Sequence, residues 1–264
     1  MSIEIPKLDF EAAIREITSF IKRVVEEAGS KGVVLGLSGG VDSSVVAALC
    51  AKALGGERCL GVIMPAGFTP KEDVEDAERL ARSLGIRTAR ADIDTVSDAF
   101  FKTLKVDLKD PRCKIPAANL RARIRMAILY YYANLNNLLV AGTGDKSERL
   151  IGYFTKYGDG GVDFAPIAHL YKAQVRELGK HLGLPEKVVN KPSSPQLYPG
   201  HKATDEIPTD YGLLDQILVG LFNLKLPPRK VSEQTGAPLK TVLEVLSRFN
   251  ATKHKRALPP MLEE

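Results

Sequence analysis

Val33-Val34-Leu35-Gly36-Leu37-Ser38-Gly39-Gly40-Val41-Asp42-Ser43-Ser44 decides the fold. The apolar, β-branched run at 33–37 predicts a buried strand. Ser38, Gly39 and Gly40 break it, and 45–54 carries an apolar helical pattern. The stretch therefore reads as a strand, a tight glycine loop and a helix N-terminus. The glycines let the backbone approach a ligand without Cβ collisions, and the free N–H groups at the positive end of the helix dipole face an anion. The loop is expected to cradle phosphate. It is not a Walker A loop, because no loop lysine follows the glycines, and the Gly-x-Gly-x-x-Gly dinucleotide spacing is missing. Asp42 suits Mg2+, a hard cation that takes carboxylate and phosphate oxygens. An ordinary strand-to-helix turn with a Ser/Asp cap is the competing reading.

Outward from this stretch, the pattern predicts a helix over 9–29 and strands at 60–64, 86–91 and 137–141. Helices are expected at 71–84, 95–104, 115–133, 207–221 and 239–249. A helix followed by repeated strand–helix units predicts an α/β fold, a Rossmann-like parallel sheet flanked by helices on both faces, with a helical C-terminal part. Ligands in such sheets bind beyond the carboxyl ends of the strands, so the loops at 38–43, 64–70 and 142–148 should converge. Asp42 and Glu148 would then end neighbouring strands and offer a carboxylate pair for Mg2+ on a triphosphate. A local cap or salt bridge is the alternative for Glu148.

Within 115–133, Leu120, Ile124 and Ile128 mark the core face, while Asn119 and Arg123 share another face and Arg121 and Arg125 a third. Residues 152–163 mix glycines, three aromatics, Lys156 and two aspartates. Such density points to unusual dihedrals or close ligand approach, with aromatics able to stack on a flat ring. Residues 197–206, with proline, glycine and polar side chains, read as a mobile loop able to order over a ligand.

The 264 residues suffice for one large α/β domain, with a nucleotide-binding core at roughly 30–190 and a helical extension at roughly 207–264. Net charge is +5 and pI about 9. This suits polyanionic small molecules or nucleic acid equally, but no basic block is long enough for a nucleic-acid tail. Cys50, Cys59 and Cys113 are widely spaced and form neither a zinc pattern nor a disulfide framework. No segment reads as a signal core or membrane span, and a cytoplasmic location is expected.

Taken in order, several segments form a specific set. They are 38–43, Asn119-x-x-x-Arg123-x-Arg125-Met126, and Gly142-Thr143-Gly144-Asp145-Lys146-Ser147-Glu148. Phe154-Thr155-Lys156-Tyr157-Gly158-Asp159-Gly160-Gly161 and Leu170-Tyr171-Lys172 follow, then Lys191-Pro192-Ser193-Ser194 and His254-Lys255-Arg256. The first loop resembles that of the ATP pyrophosphatase superfamily. The full set, spanning roughly 10–260, resembles the NH3-dependent NAD+ synthetases.

The resemblance implies that the nicotinate carboxylate of deamido-NAD+ is adenylated by ATP, releasing pyrophosphate, and that ammonia then displaces AMP to give NAD+, the last step of NAD+ biosynthesis. It implies that Gly36, Leu37, Ser38, Gly39, Gly40, Val41, Asp42 and Ser43 hold the ATP phosphates. Thr143, Lys172 and Ser194 would also contact ATP, with Ser193 as the neighbouring alternative to Ser194. Mg2+ would be held by Asp42 and Glu148, and deamido-NAD+ by Arg123, Lys156, Asp163, His254 and Lys255. No side-chain nucleophile is needed; Lys172, Asp42 and Glu148 would manage charge. The family often has asparagine where this chain has Asp145, which adds a negative charge near Glu148. A homodimer is expected, without a glutaminase domain, and therefore with free ammonia as donor. Two other classes compete. A tRNA-modifying or other ATP pyrophosphatase would want a nucleic-acid domain or a reactive cysteine. A non-catalytic nucleotide-binding module would not need Asp42, Glu148 and Lys172 together.

Overall fold

A computed structural model describes residues 2–262, so the last two residues of the expected extension lie outside it. In chain order, α1 (Phe10–Glu27) precedes β1 (Gly32–Gly36), followed by α2 (Val41–Leu54), β2 (Cys59–Ile63), α3 (Lys71–Ser83) and β3 (Arg87–Arg90). Then come α4 (Asp94–Thr103), α5 (Lys114–Asn136), β4 (Leu138–Val140), α6 (Lys146–Ile151), α7 (Lys172–His181) and α8 (Glu186–Val189). The chain ends in α9 (Tyr211–Leu218), α10 (Pro228–Thr235) and α11 (Leu239–Ala251).

The four strands are parallel in the order β3-β2-β1-β4, with Val34 opposite Leu60 on one side and Val140 on the other. Strand alternation sorts the side chains. Val33 and Leu35 point into a core shared with α1, α2, α3 and α7, while Val34 and Val62 point into a second core under α5. Helices therefore cover both faces, as a parallel sheet requires. The order β2-β1-β4 makes β1 the strand at which the chain reverses direction across the sheet, so the crevice at its carboxyl end is the expected ligand position.

α2 has little polar surface because it is covered on both sides: Val45, Val46, Leu49 and Cys50 are all fully buried between sheet, α1 and α7. This helix starts at Val41, four residues before the expected 45. Gly40 is its N-cap, and the Ser43 and Ser44 hydroxyls donate to the Gly40 carbonyl at 3.1 and 2.8 Å. α5 outlasts its expected end and stops where Asn137 turns left-handed, at φ 54°.

The C-terminal helices build a separate core of Leu214, Leu218, Val231, Val242 and Val245. Ile3, Ile151 and Tyr171 enter it from the N-terminus, α6 and the start of α7. The helix expected at 207–221 begins at Tyr211, because Asp210 caps it by accepting from Leu213 N–H at 3.1 Å. Among the described residues no helix is long and apolar enough to cross a membrane.

Candidate active site

The carboxyl ends of β1, β2 and β4 open into a cavity of roughly 780 Å³. The loops at 38–43, 64–70 and 142–148 do converge there. In the first loop the Ser38 hydroxyl lies 3.0 Å from the Ser43 hydroxyl and accepts from Gly40 N–H at 3.3 Å, which closes the turn. Gly39 has φ +74°, and a Cβ there would lie 2.3 Å from the Asp73 carbonyl oxygen, so only glycine fits. The first turn of α2 faces the cavity with its unpaired N–H groups.

Behind this loop sits a buried ion cluster. The Lys172 ammonium, fully buried, lies 2.7 Å from Asp42 Oδ2, 3.0 Å from Asp145 Oδ2 and 3.0 Å from Glu148 Oε1. Asp145 and Glu148 are fixed by a reciprocal cap on α6, with Glu148 N–H donating to Asp145 Oδ1 at 2.8 Å and Asp145 N–H to Glu148 Oε2 at 3.4 Å. Tyr211 donates to Glu148 Oε1 at 3.3 Å, and its ring centre lies 4.9 Å from the ammonium. Burial alone would lower Lys172, but Asp145, Asp42 and Glu148 outweigh it and hold the ammonium well above its usual range. Burial also pushes Asp145 and Glu148 above the usual carboxylate range, against the pull of Lys172. One ammonium does not balance three carboxylates, and Asp42 Oδ1 is buried without a hydrogen-bond partner among the described residues. The donor set is thus hard, anionic and unsaturated, which fits a divalent cation shared with phosphate oxygens. Among the described residues no group of three or more His, Cys, Asp or Glu side chains forms a metal cage by itself.

A second cluster guards the outer rim. Lys191 donates to Asp73 at 2.6 Å and Asp76 at 3.2 Å, and reaches the Gly39 carbonyl at 3.5 Å. Lys187 and Arg79 also bind Asp76. Lys187 and Lys191 thereby tie α8 and the segment after it to α3. Further along, Arg125 donates to the carbonyls of Met64, Pro195 and Gln196, and Arg121 to that of Leu197. The expected mobile loop at 197–206 is packed in place. His201 is buried, stacks on Tyr198 at 3.8 Å between ring centres, and sits 3.2 Å from Glu206.

In the 152–161 segment the glycines serve tight turns more than open space: a Cβ at Gly160 would meet the Phe154 ring at 2.6 Å and one at Gly158 the Thr155 side chain at 2.9 Å. Thr155 donates to Asn119 Oδ1 at 2.7 Å, which joins this segment to α5. Tyr153 and Phe154 line the cavity, whereas Tyr157 is exposed.

Of the residues singled out from sequence, 36–43 line the cavity with the exception of Gly39, which is buried against Asp73. Thr143, Glu148, Ser193, Ser194 and Lys255 line it too. Lys172 is behind the wall, enclosed by carboxylates, and presents no free ammonium to the cavity. Arg123, Lys156, Asp163 and His254 are outside the lining. Three of them meet on the adjoining surface: Arg123 donates to the Lys156 carbonyl at 3.3 Å and Lys156 to the His254 carbonyl at 2.9 Å. Asp163 is exposed and accepts from Tyr130 O–H at 3.0 Å and Val140 N–H at 2.7 Å. Lys255 bridges cavity and rim, donating to the carbonyls of Gly152 and Phe154 at 2.7 and 2.6 Å. Sequence reasoning gave no role to Arg125, Lys191, Tyr211 or Asp215, and read Asp145 only as an added charge. The Asp145-x-x-Glu148 spacing was a legible capping signal; the others carry no local signal.

A parallel sheet whose first loop leads into a helix N-terminus without a Walker lysine, beside an unsaturated carboxylate pair, has the architecture of a nucleotide-binding α/β enzyme. The model of the NAD synthase family matches residues 13–259. The NH(3)-dependent NAD(+) synthetase of Hyperthermus butylicus is 51% identical over 258 residues, which cover 97% of this chain and 92% of that one. Among solved structures, the NH3-dependent NAD synthetase from Campylobacter jejuni, in complex with the nitrate ion, aligns with a TM-score of 0.81 at 32% identity over 97% of this chain and 100% of that one. The NMN synthetase from Francisella tularensis aligns with a TM-score of 0.84 at 29% identity over 98% and 100%. The chain belongs to the NAD synthase family.

Proposed function

We propose that this chain is an ATP-using ligase that amidates deamido-NAD+ to NAD+ with ammonia as the nitrogen donor. The observation that carries this reading is one shared cavity in which the phosphate loop, Asp42 and Glu148 face the Asn119–Thr155 pair and Lys255. In the first step a nicotinate carboxylate oxygen attacks the α-phosphorus of ATP, and the bond to the β-phosphate bridging oxygen breaks. The 38–43 N–H groups and the N-terminus of α2 receive the charge of the departing pyrophosphate. In the second step ammonia attacks the acyl carbon, the bond to the AMP oxygen breaks, and one nitrogen proton is lost. The protein positions two anionic nucleotides and neutralises their charge, and no side-chain nucleophile enters the balance.

Asp42 and Glu148 would hold Mg2+, which when bound would neutralise triphosphate charge and polarise the phosphoryl group. Thr143 and Ser194 serve ATP from the cavity wall, and Lys172 orders the carboxylates that face it. The basic rim of Arg123, Lys156, His254 and Lys255 takes deamido-NAD+, and Asp163, held by Tyr130 and Val140, is a further contact of the same ligand. A homodimer in the cytoplasm completes the reading. The dimer is supported by apolar side chains exposed on α5 and at the end of α4, among them Phe100, Leu104, Tyr131 and Leu135. We also read the chain as one domain, because Ile151 and Tyr171 belong to the C-terminal core while their neighbours Glu148 and Lys172 serve the nucleotide site.

The test is turnover of ATP, Mg2+ and deamido-NAD+ with ammonium, and in parallel with glutamine. NAD+ is read by a coupled dehydrogenase, and AMP and pyrophosphate by chromatography. Equimolar NAD+, AMP and pyrophosphate, formed with ammonium alone, are expected. Absence of NAD+, or preferred amidation of nicotinate mononucleotide in a third arm, would refute the assigned acceptor.

A further inference from the structure

Asp215 lies in α9, outside the sheet and its loops, and is fully buried. One carboxylate oxygen accepts from the Ser147 hydroxyl, and the other accepts from Ala173 N–H at 2.9 Å. The Ser147 oxygen in turn accepts from the backbone N–H of Lys172 at 3.0 Å. The first two N–H groups of α7 are therefore held by one buried carboxylate, directly and through a hydroxyl. A negative charge suits that position, at the positive end of the α7 dipole. Burial raises the Asp215 carboxyl to about 6, against these hydrogen bonds.

The tie matters because of what it holds. Ser147 adjoins Glu148 in α6, and Lys172 is the first residue of α7. The same carboxylate thus fixes the peptide from which the Lys172 side chain springs and the residue beside one of its carboxylate partners. Tyr211, one turn earlier on the same face of α9, touches Glu148 and the ammonium directly. With Nζ held within 3.0 Å of three carboxylates, the place of the Lys172 backbone decides where that charge sits.

We infer that Asp215 is a positioning residue for the ligase reaction: through Ser147 and the N-terminus of α7 it sets Lys172 against Asp42 and Glu148. The inference rests on the reading of Lys172 as part of the reaction machinery. A misplacement on the order of 1 Å costs roughly 100-fold in rate.

The test is a double-mutant cycle on the full chain, with kcat and KM for ATP measured for wild type, D215N, K172M and D215N/K172M, and melting followed for each. D215N is expected to lower kcat roughly 30- to 100-fold with KM for ATP changed less than about 3-fold, and to lower the residual kcat of K172M by no more than about 2-fold. Equal D215N losses in both backgrounds would overturn the proposal, as would a folded D215N enzyme with wild-type kcat. S147A removes the relay hydroxyl while keeping the carboxylate, and the same cycle with it decides the matter where D215N does not fold. K172M with wild-type kcat would overturn the Lys172 reading and the proposal with it. An impaired K172M beside additive losses would overturn the proposal alone.

Discussion

The two adjacent glycines of the loop at 38–43 should respond to alanine in opposite ways. Gly39 has φ +74°, a conformation that costs an L-residue roughly 1–2 kcal/mol. Its Cβ would lie 2.3 Å from the Asp73 carbonyl oxygen, a backbone atom that must retreat by roughly 1 Å to reach ordinary contact. Asp73 is not free to move, because its carboxylate is bound by Lys191 at 2.6 Å and also by Gln196. Such overpacking costs roughly 1–3 kcal/mol, so Gly39→Ala should lose about 3 kcal/mol in all. For a chain of this size that is a fall in Tm of roughly 6–12 °C. Gly40 has no positive φ, and its nearest neighbour is the Ser38 hydroxyl at 3.3 Å, which can rotate away. Gly40→Ala should cost about 1 kcal/mol or less in stability, as a poorer N-cap. Its methyl would instead enter the cavity and raise KM for ATP. Differential scanning calorimetry with ATP-dependent pyrophosphate release separates the two. A Gly39→Ala protein melting within 2 °C of wild type (~2 °C being under 1 kcal/mol here), or a Gly40→Ala protein falling further than it, would refute the loop geometry.

Asp42→Asn keeps shape and removes charge, so turnover should fall on the order of 100-fold or more with Tm nearly unchanged; wild-type turnover would count heavily against the mechanism. Arg123→Ala should raise KM for deamido-NAD+ roughly 10- to 100-fold and leave KM for ATP alone, the loss of a charged hydrogen bond, read in steady-state kinetics with each substrate varied. At Asp76, burial would raise the carboxyl, but hydrogen bonds from Lys187, Arg79 and Lys191 lower it to about 2. A depressed carboxyl stabilises above its unfolded value and loses that contribution as pH falls through the folded one. Roughly 1–2 kcal/mol, discounted for the half-exposed partners, should therefore vanish between about pH 4 and pH 2. Acid titration of unfolding should show that slope in wild type and not in Asp76→Asn.

How much was legible depends on how local each cause is. The parallel sheet follows from the apolar runs of β1 and β2 and from the glycine loop and Pro65 that end them, all within a few residues, and the pairing of β1 with β4 follows from where the loops must meet. Helix boundaries were less legible. α2 starts at Val41 because the Ser43 and Ser44 hydroxyls fold back onto Gly40, a contact that apolar periodicity does not register. In α5 the pattern separated the arginine faces without saying which one the cavity takes. Arg125 is the one that lines it, because carbonyls some 70 residues later, at 195–196, receive its guanidinium. Lys172 stood out by motif, but its enclosure depends on Asp42, 130 residues earlier, and on an α6 cap too short to show helical periodicity.

The missing loop lysine has a physical consequence that the two ion clusters make concrete. In a Walker loop one ammonium is offered to the phosphates. Here two ammonium groups flank the loop, and both are already paired: Lys191 with Asp73 and Asp76, Lys172 with Asp42, Asp145 and Glu148. On the Lys172 side one positive charge faces three carboxylates, so full ionisation would leave an excess of two negative charges where the proposed function also seats a triphosphate. Burial raises the Asp145 and Glu148 carboxyls, and the neighbouring carboxylates add to that rise against the pull of Lys172. A lysine alone therefore cannot make this end of the cavity attractive to ATP. On the proposed function, the loop N–H groups and a divalent cation at Asp42 and Glu148 would supply the balance, and Lys172 would keep those carboxylates aligned.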